Sequence, residues 1–206
     1  MSYYLGIFGG AGPNPSAALL KDKKIIAFAE EERFIRVKTA PGNLPINAIL
    51  YCLKTAQIKL NSIKKIGFGW DCPHHKKVVP KILKKISRNY NKSNNSYNLN
   101  HQERVNLNYD PEKLISDLKW ALMKKSEKLD EKKIIFYKHH LSHAASVFFA
   151  SGFKNASIVI LDGMGEEFTG GIYSGSGKNI KCLKKIKLPN SLGGYYATFT
   201  EFLGFK

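Results

Sequence analysis

Cysteine is scarce in this chain, and its few positions are scattered. The 206 residues include three cysteines, Cys52, Cys72 and Cys182, and no Cys-x-x-Cys pair. An odd and widely spaced set argues against a disulfide framework and against a cysteine-based zinc site. A reducing cytoplasm is therefore the expected compartment.

Long apolar runs are also lacking. No segment reaches the roughly 18 uninterrupted apolar residues of a membrane-spanning helix, and no basic-then-apolar leader opens the chain. Residues 1–8 fit a first strand better than a signal peptide. The sequence thus predicts no membrane partner. A hydrophobic content of 43% is ordinary for a globular protein of one or two domains.

Arginine is rare against a large excess of positive charge. The formal net charge is +17, yet 29 of the 33 basic residues are lysines and only four are arginines. Surfaces that read phosphate favour arginine, because its planar fork binds phosphate oxygens in pairs. A solvated, lysine-rich surface is the simplest interpretation. An acidic small substrate such as a phosphate ester would be served equally well, and nucleic acid is not expected as a partner.

Two histidines four residues apart mark the segment His139-His140-Leu141-Ser142-His143. If the run is helical, the imidazoles of His139 and His143 lie on one face about a turn apart, as one metal ion requires. His140 would be rotated by roughly 100° and would point elsewhere. Such a pair can equally consist of capping or surface histidines, and this alternative stays open.

An aspartate follows the apolar, strand-like run of residues 158–161. Asp162 stands at the end of that run, beside Gly163 and Gly165. A carboxylate at the tip of a buried strand is well placed for a cation, and the glycine-flanked turn could receive phosphate. Taken with the histidine pair, Asp162 strengthens the prediction of a metal site.

A glycine-rich loop joins the first two predicted strands. It spans residues 9–15 and is followed by Ser16. Backbone N–H groups in such loops can converge on a phosphate, so Gly10, Gly12 and Ser16 are candidate phosphate contacts. Many loops of this composition are only turns, and that interpretation is not excluded.

Acidic and basic side chains alternate closely in residues 30–38. A self-paired, solvated loop explains this pattern simply. The segment nevertheless follows a predicted strand directly and holds two of the four arginines. Arg33, Arg36 and Lys38 are therefore candidates for binding an anion at the mouth of the sheet.

Strand and helix patterns predict an α/β fold with the element order βββ-α-β-α-β-α, as in a ribonuclease-H-like lobe. The predicted strands cover 3–8, 16–20, 25–29, 63–70 and 134–137, and the helices cover about 45–57, a segment from 110, and a segment from 139. Residues 87–109 are rich in asparagine and predict a flexible excursion. Three further strands, 156–161, 168–173 and 180–187, predict the start of a second lobe. The expected domains are a first lobe over 1–152 and an incomplete second lobe over 153–206.

Several motifs together resemble one enzyme family. "HHLSHAASVFFASGFKNASIVILDGMGE", "LPNSLGGYYATFTEFLGFK" and "SAALLKDKKIIAFAEEERFIRVKTAPGNLPINAILYCLK" are similar, in order and spacing, to segments of the O-carbamoyltransferases of the nodulation-factor and antibiotic-biosynthesis type. The resemblance covers roughly residues 1–70 and 134–206. It implies an actin-like ATPase fold with a mixed five-stranded sheet and helices.

The resemblance also implies a reaction and its ligands. In the family, a carbamoyl group moves from carbamoyl-adenylate, made from carbamoyl phosphate and ATP, to a hydroxyl of a sugar or natural product. His139, His143 and Asp162 would then be ligands of a divalent metal, with iron favoured, that holds the adenylate phosphates. A C-terminal portion, supplied in cis or in trans, would complete the second lobe and make the adenylate, so this chain alone is expected to be inactive.

The chain departs from the family pattern at one point. The family's His-Asp pair before x-Ser-Ala-Ala is replaced by Pro13-Asn14, and Asn14 cannot act as a base. The catalytic residues are therefore left unassigned. Two alternatives stay open: a relative of the enzymes that attach threonylcarbamoyl groups to tRNA adenosine, and a non-catalytic remnant that binds nucleic acid or a partner.

Overall fold

The computed structural model describes residues 2–10, 12–90 and 109–205, and it describes the side chains of all of these residues except 87–90. The described residues form two compact units. The first contains the residues up to Lys76 and those from Tyr109 to Phe136; the second contains Lys77 to Tyr90 and the residues from Tyr137 onward.

The first unit is built on a five-stranded mixed sheet. Its strands are β1 (Tyr3–Phe8), β2 (Ser16–Lys21), β3 (Lys24–Glu30), β4 (Ile63–Phe68) and β5 (Ile134–Phe136), arranged in the order β3-β2-β1-β4-β5. The first three strands are antiparallel neighbours, whereas β4 runs parallel to both β1 and β5. This arrangement confirms the predicted α/β class with a mixed five-stranded sheet.

Helices α1 (Glu32–Ile35), α2 (Ile46–Thr55) and α4 (Pro111–Met123) belong to this unit, whereas α3 (Cys72–Tyr90) begins in it and belongs to the second unit from Lys77 onward. Helix α2 buries an apolar stripe spaced at helical intervals, as the sequence predicted: Ala48, Ile49, Cys52 and Leu53. Helix α4 begins as expected, because the Asp110 carboxylate accepts hydrogen bonds from the N–H groups of Glu112 and Lys113.

Helix α3 was not predicted. The sequence predicted a flexible excursion over residues 87–109, but residues 87–90 are helical. Tyr109, at the C-terminal end of the same predicted excursion, is buried and stacks on Trp70 at a ring-centroid distance of 4.2 Å. The rest of that excursion lies outside the described residues.

The second unit contains an antiparallel sheet in the order β6-β7-β8, formed by Asn155–Leu161, Phe168–Ser176 and Asn179–Lys187. Helix α5 (His139–Ser151) packs on this sheet, and helix α6 (Leu192–Phe202) follows it in sequence. A small core joins helix and sheet: Ala144, Phe148, Ile158, Ile160 and Tyr173.

Helix α5 therefore falls in the second unit, whereas the boundary expected at residue 152 placed it in the first lobe. Its buried residues explain the difference, because Ala144 and Phe148 face the strands that follow α5 in sequence.

Among the helices that the structure describes, none has the length and apolar character needed to cross a membrane.

Candidate metal centre

The N-terminus of α5 is capped from a distance. Lys138, at the cap position, makes no side-chain cap hydrogen bond. Instead the N–H of His139 donates to the Glu166 carboxylate, at 3.0 Å to Oε1 and 3.4 Å to Oε2. Glu166 is buried, and a carboxylate at a helix N-terminus is favoured by the helix dipole. The turn between β6 and β7 is thereby tied to the first turn of α5.

Three metal-ligand side chains converge beside this helix terminus. The Nε2 atoms of His139 and His143 are 2.9 Å apart, and they lie 3.1 and 3.6 Å from Oδ2 of Asp162. One ligand atom from each residue lies within 4.8 Å of the other two. The sequence analysis proposed this set, and the fold brings its members together.

The donor set fits a divalent ion. Two imidazoles and a carboxylate are ligands that zinc, iron and related ions accept. Asp162 Oδ2 is buried, and within the described part of the chain it has no well-aligned hydrogen bond. A buried carboxylate oxygen needs a partner, and an ion held by His139 and His143 would provide one.

The Asp162 carboxylate is held in its charged form. Burial acts to raise its pKa, but His139, His140, His143 and the N–H of Gly163 together outweigh burial and hold the pKa of Asp162 well below its usual range. The Gly163 N–H donates to Oδ1 at 2.6 Å. An ionised carboxylate is the form that a metal ion requires.

His140 does not point away from the site, and the prediction that it would was wrong. Its Nε2 atom lies 3.3 Å from Asp162 Oδ2, and its side chain is only 4% exposed. The helical rotation between His139 and His140 is real, but the β6–β7 turn folds back over the start of α5 and carries Asp162 to a position that both imidazoles reach.

The glycines beside Asp162 have different surroundings. A Cβ on Gly163 would meet nothing within 4 Å, whereas a Cβ on Gly165 would lie 2.8 Å from Cε1 of His140. Gly165 also donates its N–H to the carbonyl of Phe168 at 2.7 Å. Gly165 therefore packs the turn against the His140 ring, whereas the space beside the Gly163 Cα is free of neighbouring atoms of the described residues.

The segment before α6 supports the Asp162 turn from another side. The Ser191 hydroxyl donates to the carbonyl oxygens of Asp162 and Gly163, at 3.1 and 2.7 Å, and accepts from the Gly194 N–H. The Gly193 N–H donates to the Asp162 carbonyl at 3.2 Å. These contacts give a structural role to the Ser-Leu-Gly-Gly part of the family-like motif.

The glycine-rich loop lies in the first unit and is bound to the segment that precedes α2. Gly10 donates its N–H to the Asn43 carbonyl at 2.8 Å, Asn14 donates to the Thr39 carbonyl at 2.7 Å, and Gly12 accepts from Gly42 at 3.3 Å. Two of the N–H groups that could face a phosphate are thus already engaged. Ser16 lies at the start of β2, in register with Glu30.

The three cationic candidates near this loop are exposed. Arg33 and Lys38 approach one Glu32 oxygen at 3.9 and 3.8 Å, and Arg36 ends α1 in a left-handed conformation. The N–H of Thr39 donates to the same carboxylate and is the main reason that the pKa of Glu32 is lowered. The arrangement matches the self-paired loop that the sequence analysis left open.

Sequence reasoning missed three supports of the site: His140, Glu166 and Ser191. The available signal for Glu166 was its place four residues after Asp162, combined with a helix start that has no capping residue of its own. Ser191 carried the ordinary signal of a helix N-cap before Gly193-Gly194.

The chain matches known proteins over most of its length. Residues 13–206 match the sequence profile described as "Carbamoyltransferase N-terminus". A Synechocystis sp. protein, "Uncharacterized protein sll1178", is 33% identical over 100% of this chain and 32% of its own length. "Nodulation protein NolNO" of Sinorhizobium fredii is 30% identical over 92% of this chain and 25% of its own length.

The chain thus spans about a third or less of the length of these two curated relatives. Among solved structures, a Pseudomonas aeruginosa protein described as similar to peptidase YEAZ is 13% identical, with a TM-score of 0.48 over 92% of this chain and 67% of that one.

Proposed function

This chain belongs to the carbamoyltransferase N-terminus family, and from that premise we propose that it supplies the metal-binding part of a carbamoyltransferase. The convergence of His139, His143 and Asp162 is the observation that supports this role. In the proposed reaction, a carbamoyl group passes from carbamoyl-adenylate to a hydroxyl of a sugar or natural product. The carbamoyl-adenylate itself comes from carbamoyl phosphate and ATP.

The three side chains have distinct tasks in this proposal. His139 and His143 present their Nε2 atoms from one helix face, and Asp162 presents an ionised oxygen from the end of β6. A divalent ion bound there, with iron favoured by the family resemblance, would neutralise phosphate charge and orient the acyl donor. Glu166 and Ser191 hold the two elements that carry these ligands.

The proposal extends to partners outside this chain. The Synechocystis and Sinorhizobium relatives are three to four times longer, so we assign the complete reaction to a longer protein, in which this chain's sequence is the N-terminal part. The remaining portion, joined in cis or supplied in trans, would form the carbamoyl-adenylate. The glycine-rich loop and Arg33, Arg36 and Lys38 remain candidate contacts for its phosphates or for the substrate.

Metal content tests the proposed site directly. The purified chain, loaded with Fe²⁺ under anaerobic conditions and desalted, should retain iron in elemental analysis, and the double variant His139→Ala, His143→Ala should lose it. His74→Ala is the matched control, because His74 lies in the first unit and outside the ligand group. Equal iron content in the wild type and the double variant would refute the site.

The reaction is tested in the presence of the remaining portion of the family protein. ATP-dependent release of phosphate from carbamoyl phosphate should require both parts, and transfer to a hydroxylated acceptor should then fail with Asp162→Asn. Turnover of carbamoyl phosphate and ATP by this chain alone would contradict the proposal that the remaining portion forms the carbamoyl-adenylate.

A further inference from the structure

We propose that His140 is a positioning residue for Asp162: its buried imidazole donates from Nε2 to the carboxylate and fixes the oxygen that faces the metal. The inference rests on the proposed metal site and adds a residue to it. Among the described residues, the ligand group contains His139, His143 and Asp162 but not His140.

The first support is a facing pair of buried polar atoms. Nε2 of His140 and Oδ2 of Asp162 are 3.3 Å apart, and both are buried without a well-aligned hydrogen bond among the described residues. A buried N–H and a buried carboxylate oxygen each require a partner. At this separation a proton on Nε2 of His140 would lie between the two atoms, and a small rotation of either side chain would align the bond.

The second support is the position of the ring relative to the two ligand histidines. The centroids of His139 and His143 are 4.4 Å apart, whereas His140 lies 5.6 Å from His139 and 6.4 Å from His143. His140 is also buried to 4% exposure, while the His143 side chain is 49% exposed. His140 is thus the most enclosed of the three histidines around Asp162, since the His139 side chain is 15% exposed.

The third support is the backing of the ring by Gly165. A Cβ on Gly165 would lie 2.8 Å from Cε1 of His140 and 3.1 Å from each ring nitrogen. The glycine therefore permits a close approach of backbone to imidazole, which leaves the ring little freedom to turn away from Asp162. A ligand carboxylate held by such an outer partner binds metal more tightly, and loss of the partner typically costs 10–100-fold in affinity.

The experiment compares Co²⁺ binding by His140→Phe and His140→Gln with the wild type. Phenylalanine keeps a buried ring but cannot donate, whereas the glutamine amide can place an N–H near the position of Nε2. We expect the dissociation constant for Co²⁺, followed by its visible absorption, to rise about 10–100-fold in His140→Phe and to recover most of that loss in His140→Gln.

Two glycine variants test the same contact without touching His140. Gly165→Ala must displace the ring and should weaken Co²⁺ binding. Gly6→Ala, in strand β1 of the first unit, places its methyl group 3.8 Å from the Ala18 carbonyl oxygen, an ordinary contact distance, and should not. Thermal unfolding of each apo variant identifies the folded fraction to which the binding data refer. Should His140→Phe fail to fold, Gly165→Ala and His140→Gln still decide the question.

The outcomes separate the two proposals. Co²⁺ binding that depends on His139 and His143 but is the same in wild type and His140→Phe overturns the positioning role and leaves the metal site standing. A wild-type chain that binds no Co²⁺ through those histidines overturns the site itself, and the role of His140 with it. Weaker binding in both His140→Phe and Gly165→Ala, with Gly6→Ala unchanged, supports the inference.

Discussion

Gly193 lies directly against the backbone of Asp162. Its N–H donates to the Asp162 carbonyl at 3.2 Å, and a Cβ built on it would lie 2.5 Å from the Asp162 carbonyl carbon. No side chain fits at that distance, so glycine is required here by the closeness of two backbones. The start of α6 and the turn that carries the carboxylate are thus one packed structure.

Alanine at position 193 should therefore disturb the proposed metal site. The added methyl group must push the Asp162 turn away from α6, so we expect Gly193→Ala to bind Co²⁺ at least several-fold more weakly than the wild type and to unfold at lower temperature. Gly6→Ala, in strand β1 of the first unit, is the control, because its methyl group would lie at an ordinary contact distance, 3.8 Å from the Ala18 carbonyl oxygen. Equal Co²⁺ affinities for the two variants would contradict the role given to Gly193.

Acid should destabilise the first unit through His75. This imidazole is fully buried, and burial, followed by the neighbouring charge of His74, lowers its pKa to about 4. The indole N–H of Trp70 donates to Nδ1 at 3.2 Å, so a second proton on Nδ1 would face a donor. The folded state therefore favours the neutral ring.

The sign of the pH effect follows from linkage. The unfolded chain, with an imidazole pKa of about 6.5, binds more protons than the folded chain between pH 6.5 and 4. The contribution of His75 is fully present above about pH 6.5 and is lost as the pH falls towards 4, amounting to at most about 3 kcal/mol. Denaturant unfolding of wild type and His75→Phe across this range measures it: the difference between their free energies of unfolding should change with pH, and a constant difference would contradict the assignment.

Glu31, within the segment of acidic and basic side chains at residues 30–38, should prove to be a structural residue. It is 2% exposed, and its carboxylate accepts from the N–H groups of Asn47 and Ala48 and from the Asn47 amide, at 3.2, 3.0 and 2.6 Å. Helix α2 has Pro45 at its cap position, which makes no side-chain cap hydrogen bond, so Glu31 is its cap from outside the helix.

Glu31→Ala should lower the free energy of unfolding by about 2 kcal/mol, because it leaves buried N–H groups unpaired at a helix start. Glu30→Ala is the matched control: its carboxylate lies 3.9 Å from the exposed Arg33, and a surface pair of this kind contributes about 0–1 kcal/mol. Urea unfolding of both variants gives the comparison. A Glu31→Ala protein as stable as Glu30→Ala would disprove the capping role.

The three cysteines should differ in reactivity. Burial raises the pKa of Cys52 to about 11, and Cys72 is also fully buried, whereas Cys182 is partly exposed. The thiolate is the reactive form, so in the native protein we expect only Cys182 to react readily with a disulfide reagent. Mass spectrometry of the labelled peptides identifies the site, and unfolding should release the other two thiols. Rapid native labelling of Cys52 would contradict its burial.

Strands were predictable from sequence where apolar residues alternate between short turns. Strand β1 was expected at residues 3–8 and is found at Tyr3–Phe8, because Leu5 and Ile7 face the core. Helix α3 escaped prediction, since Pro73, His74 and several lysines give its sequence a loop-like composition. In the structure its buried positions include His75 and Val79, and a pattern that counts histidine as polar does not detect that stripe.

The proximity of His139 and His143 was also accessible from sequence, because their spacing fixes a common helix face. The supports of Asp162 were not. Helical geometry alone relates His140 to its neighbours on α5, but its contact with Asp162 depends on how the β6–β7 turn folds back, and that path is set by Gly165 and Gly193. Such contacts between backbone and ring have no signature in residue spacing.

The capping of α5 by Glu166 has a consequence for how the site assembles. Only 27 residues separate His139 from the carboxylate that caps it, and the intervening chain is one helix, one strand and two short connections. Loop-closure entropy grows with the length of chain enclosed, so contacts this close in sequence have a smaller entropic cost than contacts between distant segments. Ligands, cap and supporting turn belong to one continuous stretch, which can become ordered before distant parts of the chain have found their places.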